Sequence, residues 1–177
     1  GAGGEPPLPS CDPIVFDDPD FEAVVRASVN KPLGALTSAD VAGLTFLAAG
    51  GVTSIRGAEC LSNLTSLDIG GLPFGKVTDL SPLRPLKKLE DINVGRNPLA
   101  SVAPLGELPN LKLLFMSHVP TVLDLTPLAS APVLELLFLE GDTVVDLGPL
   151  GSVKTLATLQ IGQGTLLHPE GTAKLTS

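Results

Sequence analysis

Aromatic side chains are scarce: the chain has 6 Phe, no Trp and no Tyr in 177 residues. Any core must therefore be built from Leu, Val, Ile and Ala. Basic residues are few, with 11 Lys and Arg against 19 Asp and Glu, a net charge of -8. That balance argues against nucleic acid and anionic membrane as main partners, since both reward clustered cations. No apolar run approaches the roughly 20 residues of a membrane helix, so direct membrane insertion is not expected. The most apolar stretches, 45–49 and 134–139, are short. Cys11 and Cys60 are the only cysteines, too few for a disulfide scaffold or a structural zinc site. His118 and His168 have no second His or Cys at ligand spacing. Asp12, Asp17, Asp18 and Asp20 cluster without the spacing of a calcium loop, and helix-start preference accounts for them better. No nucleophile elbow frames a serine. The expectation is a chain with no cofactor and no catalysis of its own. No signal-peptide pattern is visible, and since such a segment is removed on maturation, its absence decides nothing.

What is present is a repeat. Asp79-Leu-Ser-Pro-Leu83, Ser101-Val-Ala-Pro-Leu105, Asp124-Leu-Thr-Pro-Leu128 and Asp146-Leu-Gly-Pro-Leu150 place Pro82, Pro104, Pro127 and Pro149 at steps of 22, 23 and 22 residues. A second phrase, L-x-x-L-x-L, precedes each one. It starts at Leu64, Leu89, Leu111, Leu134 and Leu156, with a degenerate copy at Leu44. Two phrases in fixed register predict a leucine-rich-repeat solenoid of six units. The period-two L-x-L core of the second phrase is a short strand, with Leu67 and Ile69 pointing inward and Ser66 and Asp68 outward. Stacked copies form a parallel sheet on the concave side. The proline phrase turns the chain on the convex side, in 3-10 or irregular turns, because proline fixes φ at the first helical position.

The second unit is longer, with 25 residues from Leu64 to Leu89. Its extra residues fall in 70–75, a loop expected to bulge at the rim and to carry Phe74 there. An Asn commonly follows the strand in such repeats and bonds neighbouring backbone. Only Asn97 holds that place; Leu72, Val119, Asp142 and Gly164 stand at the equivalent positions.

The outward strand positions form two columns: Phe46, Ser66, Asp91, Leu113, Leu136, Thr158, and Ala48, Asp68, Asn93, Phe115, Phe138, Gln160. Leu113, Phe115, Leu136 and Phe138 fall together and are expected to be exposed, since Leu114, Met116, Leu137 and Leu139 already fill the inward places. An exposed apolar cluster marks a contact site. Asp68, Asp91 and Glu140 would give it an acidic rim, and Phe46, Asn93 and Gln160 complete the candidate partner-binding set. The plain alternative is that a C-terminal segment or a neighbouring protomer covers the patch.

Three other patterns compete with these. The run from Gly70 to Lys76 nearly spells a phosphate loop, but Val77 stands where a magnesium-binding Ser or Thr is needed and no helix pattern follows. Arg84, Lys87, Lys88 and Lys112 read as a solvated turn surface rather than an anion site. Asn63-Leu-Thr65 matches a glycosylation acceptor, a pattern common by chance.

A solenoid must be capped. Phe21, Val24, Val25 and Val29 have helical spacing behind Asp18 or Asp20 as cap, and residues 37–43 read as a second short helix capped by Thr37 or Ser38. The expected organisation is a flexible tether over 1–12, a helical cap over 13–43, six repeats over 44–166 and a tail over 167–177. The order Phe16-Asp-Asp-Pro-Asp-Phe21, then Leu36-Thr-Ser-Ala-Asp-Val-Ala-Gly-Leu-Thr45, then Val52-Thr-Ser-Ile-Arg-Gly-Ala-Glu-Cys-Leu-Ser-Asn-Leu-Thr-Ser-Leu-Asp-Ile69 resembles the cap and first repeats of bacterial internalin-type leucine-rich-repeat proteins. The resemblance spans roughly residues 13–165; the thinned Asn ladder departs from it. It implies a secreted or surface-attached, extracellular or cell-envelope module that binds a protein (or a glycan) ligand. The alternative is a structural or homo-oligomerising part of an envelope assembly, with nucleotide binding a distant third.

Cys11 lies ahead of the cap helix and Cys60 on the turn side of the first repeat, which the cap must cover. In a surface protein the two could form a disulfide. The other reading is two reduced thiols, with Cys60 filling a small apolar site.

Overall fold

A computed structural model describes residues 10–71, 74–121, 123–141 and 146–162. The expected tail, His168, Leu72, Asp142 and Gly164 lie outside the described residues. Six short strands, β1 (Phe46–Ala48), β2 (Ser66–Asp68), β3 (Asp91–Asn93), β4 (Leu113–Phe115), β5 (Leu136–Leu139) and β6 (Thr158–Ile161), form one parallel sheet in chain order. Every register pairs equivalent positions: Leu47, Leu67, Ile92, Leu114, Leu137 and Leu159 make one inward row. The first five of that row are buried, while their outward neighbours in β2 to β5 are partly exposed.

Opposite the sheet, the proline phrases form 3-10 turns at Ser81–Leu83, Thr126–Ser130 and Gly148–Ser152, and a single helical turn, α3, at Ala103–Gly106. Each has Pro in its first turn. The first residue of the phrase acts as well. Asp79 Oδ1 accepts the Ser81 N–H, Asp124 Oδ1 the Thr126 N–H and Asp146 Oδ1 the Gly148 N–H, each at 2.8 Å. Ser101 Oγ does the same for Ala103 at 3.0 Å. A short polar side chain two residues ahead of the turn thus satisfies a donor that the turn leaves unpaired. The phrase Asp-Leu-x-Pro-Leu is a capped turn with its two Leu pointing into the core.

At the N-terminal end, α1 (Pro19–Ser28) buries Phe21 and Val25 against the first coil. Asp18 caps it, accepting from the backbone of Asp20 at 2.8 Å and Phe21 at 3.0 Å. The second helix, α2 (Ser38–Val41), begins with a reciprocal box between Thr37 and Asp40, and Lys31 Nζ reaches the same Asp40 at 2.7 Å. Those contacts hold the Asp40 carboxyl down at about 2, first through the Lys31 and Thr37 hydrogen bonds.

Residues 11 and 12, expected as the end of a tether, are anchored instead. Cys11 is joined to Cys60 by a disulfide, the Cys11 carbonyl accepts the Ser38 N–H, and Asp12 Oδ1 accepts the Ser38 N–H and hydroxyl. Residues 1–9 lie outside the described part.

Candidate functional site: the concave sheet

The alternation of each strand decides what this face shows. On β4 and β5, Leu114, Leu137 and Leu139 take the inward places, so Leu113, Phe115, Leu136 and Phe138 point out. Parallel pairing sets Leu113 beside Leu136 and Phe115 beside Phe138. The two phenyl rings stack, with centroids 4.7 Å apart and planes inclined by 12°. All four side chains are half-buried rather than fully exposed, as the alternation alone suggested. The correction has a simple cause: large neighbours on adjacent strands cover one another, so the faces left to solvent are those pointing away from the sheet. Such a stack holds its rings in place before any partner arrives.

The acidic residues stand on the N-terminal side of this floor. Asp91 on β3 pairs in register with Leu113, and Asp68 on β2 pairs with Asn93. Asp68 Oδ1 accepts the Gly70 N–H at 2.9 Å, and Asn93 Oδ1 accepts the Gly95 N–H at 3.0 Å. Burial, and then the charge of Asp68, push the Asp91 carboxyl above its usual range. Neither carboxylate has an ion-pair partner among the described residues. Glu140 lies past the end of β5, where Gln160 Nε2 donates to it at 2.8 Å. Phe46 is 58% exposed but sits on β1, three strands from β4, so it is not part of the apolar cluster.

At the rim, Phe74 is 60% exposed and the Arg96 guanidinium lies over its ring, 5.2 Å from the centroid. Asn97 is fully buried beneath this loop. Its amide donates to the carbonyls of Ile69, Val94 and Gly95 at 2.9, 3.3 and 3.1 Å and accepts the Val77 N–H at 3.2 Å. One side chain thereby ties the long loop to two coils. A Cβ on Gly75 would press into that amide, so the loop needs glycine there. Val119, at the equivalent place one coil later, is buried and apolar.

Several signals resolve into ordinary structure. Lys76 donates its N–H to the Val52 carbonyl, and the element that follows it is the turn at Ser81–Leu83 rather than a helix. The basic residues are partnered: Arg84 with Glu107 at 3.4 Å, Lys87 with the Glu107 carbonyl, Lys88 with Asn63, and Lys112 with Glu90 at 2.8 Å. Asn63 is held by Ala42 and Lys88. Among the described residues no three His, Cys, Asp or Glu side chains could hold a metal ion, and no helix is long and apolar enough to cross a membrane.

One contact at the cap carries no local mark in the sequence. Asp18 is buried, and its second oxygen accepts the N–H and hydroxyl of Thr53 at 2.5 and 2.6 Å. Burial alone would raise its carboxyl; the Thr53, Phe21 and Asp20 donors overcome this and lower it to about 2. The capping role was legible from position, but the reach to Thr53, 35 residues on, has no local signal.

No known protein-family model matches the chain, and no curated protein sequence does. Solved structures do. Internalin C2 (InlC2) of Listeria monocytogenes shares 28% identity at a TM-score of 0.72, over 96% of this chain and 84% of that one. Internalin InlF of the same organism aligns at 21% identity and a TM-score of 0.55, over 96% and 69% of the two chains, a likeness of fold alone. The plant peptide hormone receptor RGFR1, solved in complex with RGF2, aligns at 19% and 0.53 over 73% of this chain and 22% of that one, again a likeness of fold. The solenoid is an internalin-like leucine-rich-repeat protein.

Proposed function

We propose that the chain is the protein-recognition module of a secreted or surface-attached bacterial protein, and that its partner docks on the concave sheet over Leu113, Phe115, Leu136 and Phe138. The observation that carries this reading is the Phe115–Phe138 stack: two large rings held in place on the open face while the inward positions beside them are already filled. Side chains of this kind, pre-positioned and partly desolvated, supply most of the energy of typical contact sites. A disulfide between Cys11 and Cys60 suits an oxidising compartment. InlC2, a protein of similar build, and RGFR1, a receptor of the same fold with its peptide bound, support the general reading.

The test is capture from envelope and host-surface extracts by the wild-type chain and by the double variant Phe115→Ser, Phe138→Ser. Each change should weaken a specific partner by about 1 kcal/mol or more, roughly fivefold, with circular dichroism unchanged. Capture that is indifferent to both substitutions would move the contact site off the sheet. Self-association that rises with concentration and is lost in the double variant would favour the oligomer.

A further inference from the structure

The concave face asks for more than an apolar partner. Neither outward column contains a Lys or Arg. Its two charges on β2 and β3, Asp68 and Asp91, are both negative, and no cation of the described residues pairs with them. Two cations that flank the strands are engaged elsewhere: Lys112, just ahead of β4, is bound to Glu90, and Arg96, past β3, lies over Phe74. Asp91 is partly desolvated and faces the like charge of Asp68, so an arriving cation would offset both penalties, whereas an arriving carboxylate would add to them.

Resting on the concave sheet as the contact site, we infer that the partner is a polypeptide segment that sets a Lys or Arg beside a large apolar side chain, the cation at Asp68 and Asp91 and the apolar group on the Phe115–Phe138 stack. The spacing follows from the sheet. Asp91 lies one strand from Phe115 and two from Phe138. Asp91 pairs with Leu113, two residues before Phe115, so at about 4.8 Å per strand and 3.3 Å per residue the midpoint of the stack is roughly 10 Å from Asp91. An extended peptide advances about 3.3 Å per residue, so residues i and i+2 of one crossing the strands share a face roughly 6.6 Å apart, and the long, flexible stem of Lys or Arg spans the remainder. The recognised pattern is basic-x-apolar.

A displayed library of random heptapeptides, selected on the wild-type chain at low salt, tests this. Enriched sequences should place Lys or Arg two residues from Phe, Trp, Leu or Ile. The best of them, made as a free peptide, should bind Asp68→Asn, Asp91→Asn roughly tenfold more weakly than wild type and lose affinity as salt rises. It should bind Asp79→Asn, Asp124→Asn, with the same change in net charge on the convex turns, as wild type does. Enriched peptides without basic residues, or equal losses in both charge variants, would overturn the inference. So would affinity indifferent to Asp68 and Asp91 but lost in Phe115→Ser, Phe138→Ser, a result that leaves the contact site standing. Peptides that ignore the two phenylalanines, or a library that yields no enriched sequence, would count against the site and the inference together.

Discussion

The first and last described coils of this solenoid are built differently. At the N-terminal end the first coil is closed by α1, α2, a disulfide and a buried carboxylate, and its core residues Leu47 and Ile55 are each 1% exposed. At the other end, among the described residues, β6 has no strand on its outer side, and Leu156, Leu159 and Ile161 are only partly buried. Repetition makes inner coils, because each supplies what its neighbour must bury. It cannot make an end, because the last copy has a core face and nothing of its own kind to cover it. The cap solves this with material outside the repeat, and among the described coils stability should therefore grade from the cap toward β6.

Four experiments sharpen or break that contrast. The largest effect should come from removing the disulfide. Cys11→Ser with Cys60→Ser opens a loop spanning 49 residues of sequence and should cost about 4 kcal/mol in the loop-entropy account, read by denaturant unfolding. A loss below about 1 kcal/mol would mean that the helices alone close the coil. Next is a matched pair. Leu67→Ala, in a fully packed coil, should cost about 3 kcal/mol, while the equivalent Leu159→Ala on β6 should cost roughly half or less. Equal losses would show β6 to be as well covered as β2.

The third is a pH effect at the cap. The folded Asp18 carboxyl sits at about 2, below its ordinary 3.8. Its stabilisation is therefore fully present above about pH 4 and is lost as the pH falls toward 2. It amounts to about 2 kcal/mol. Asp40 contributes in the same window, so the wild-type curve should be compared with that of Asp18→Asn, whose acid sensitivity should be smaller. Matching curves would remove Asp18 from the cap's energetics. The smallest effect concerns the open face. Phe138→Ala should change stability by about 1 kcal/mol or less, since the ring rests on the sheet rather than in the core. A loss of several kcal/mol would mean that the outward register is wrong.

Much of this architecture is legible in residue order. The L-x-x-L-x-L phrase places every described strand and the proline spacing places the four turns from Ser81–Leu83 to Gly148–Ser152, because both report local geometry that each coil repeats; the proline-free turn at Ala58–Cys60 has no such mark. Asp18 and Thr37 mark the two cap helices for the same reason. Asn97 is legible as a backbone-bonding position, though not that it would tie Ile69 to Gly95. Residues 11 and 12 depart from a tether, since a Gly- and Pro-rich lead gives no hint that Asp12 accepts the first N–H of α2 across 26 residues. Alternation points Leu113, Phe115, Leu136 and Phe138 outward but overstates their exposure, because lateral cover between strands is a property of neighbours rather than of alternation.

What the sequence determined alone is the periodic part: which residues face in, which face out, and in what order the coils stack. These follow from a fixed side-chain alternation and a fixed turn, both short-range. Only the tertiary structure decided the rest: that Phe115 and Phe138 stack, that Asp91 feels Asp68 without a cation between them, and that Asp18 reaches Thr53. Each depends on the distance between coils that are 20 or more residues apart along the chain, and that distance exists only once the solenoid has closed its core.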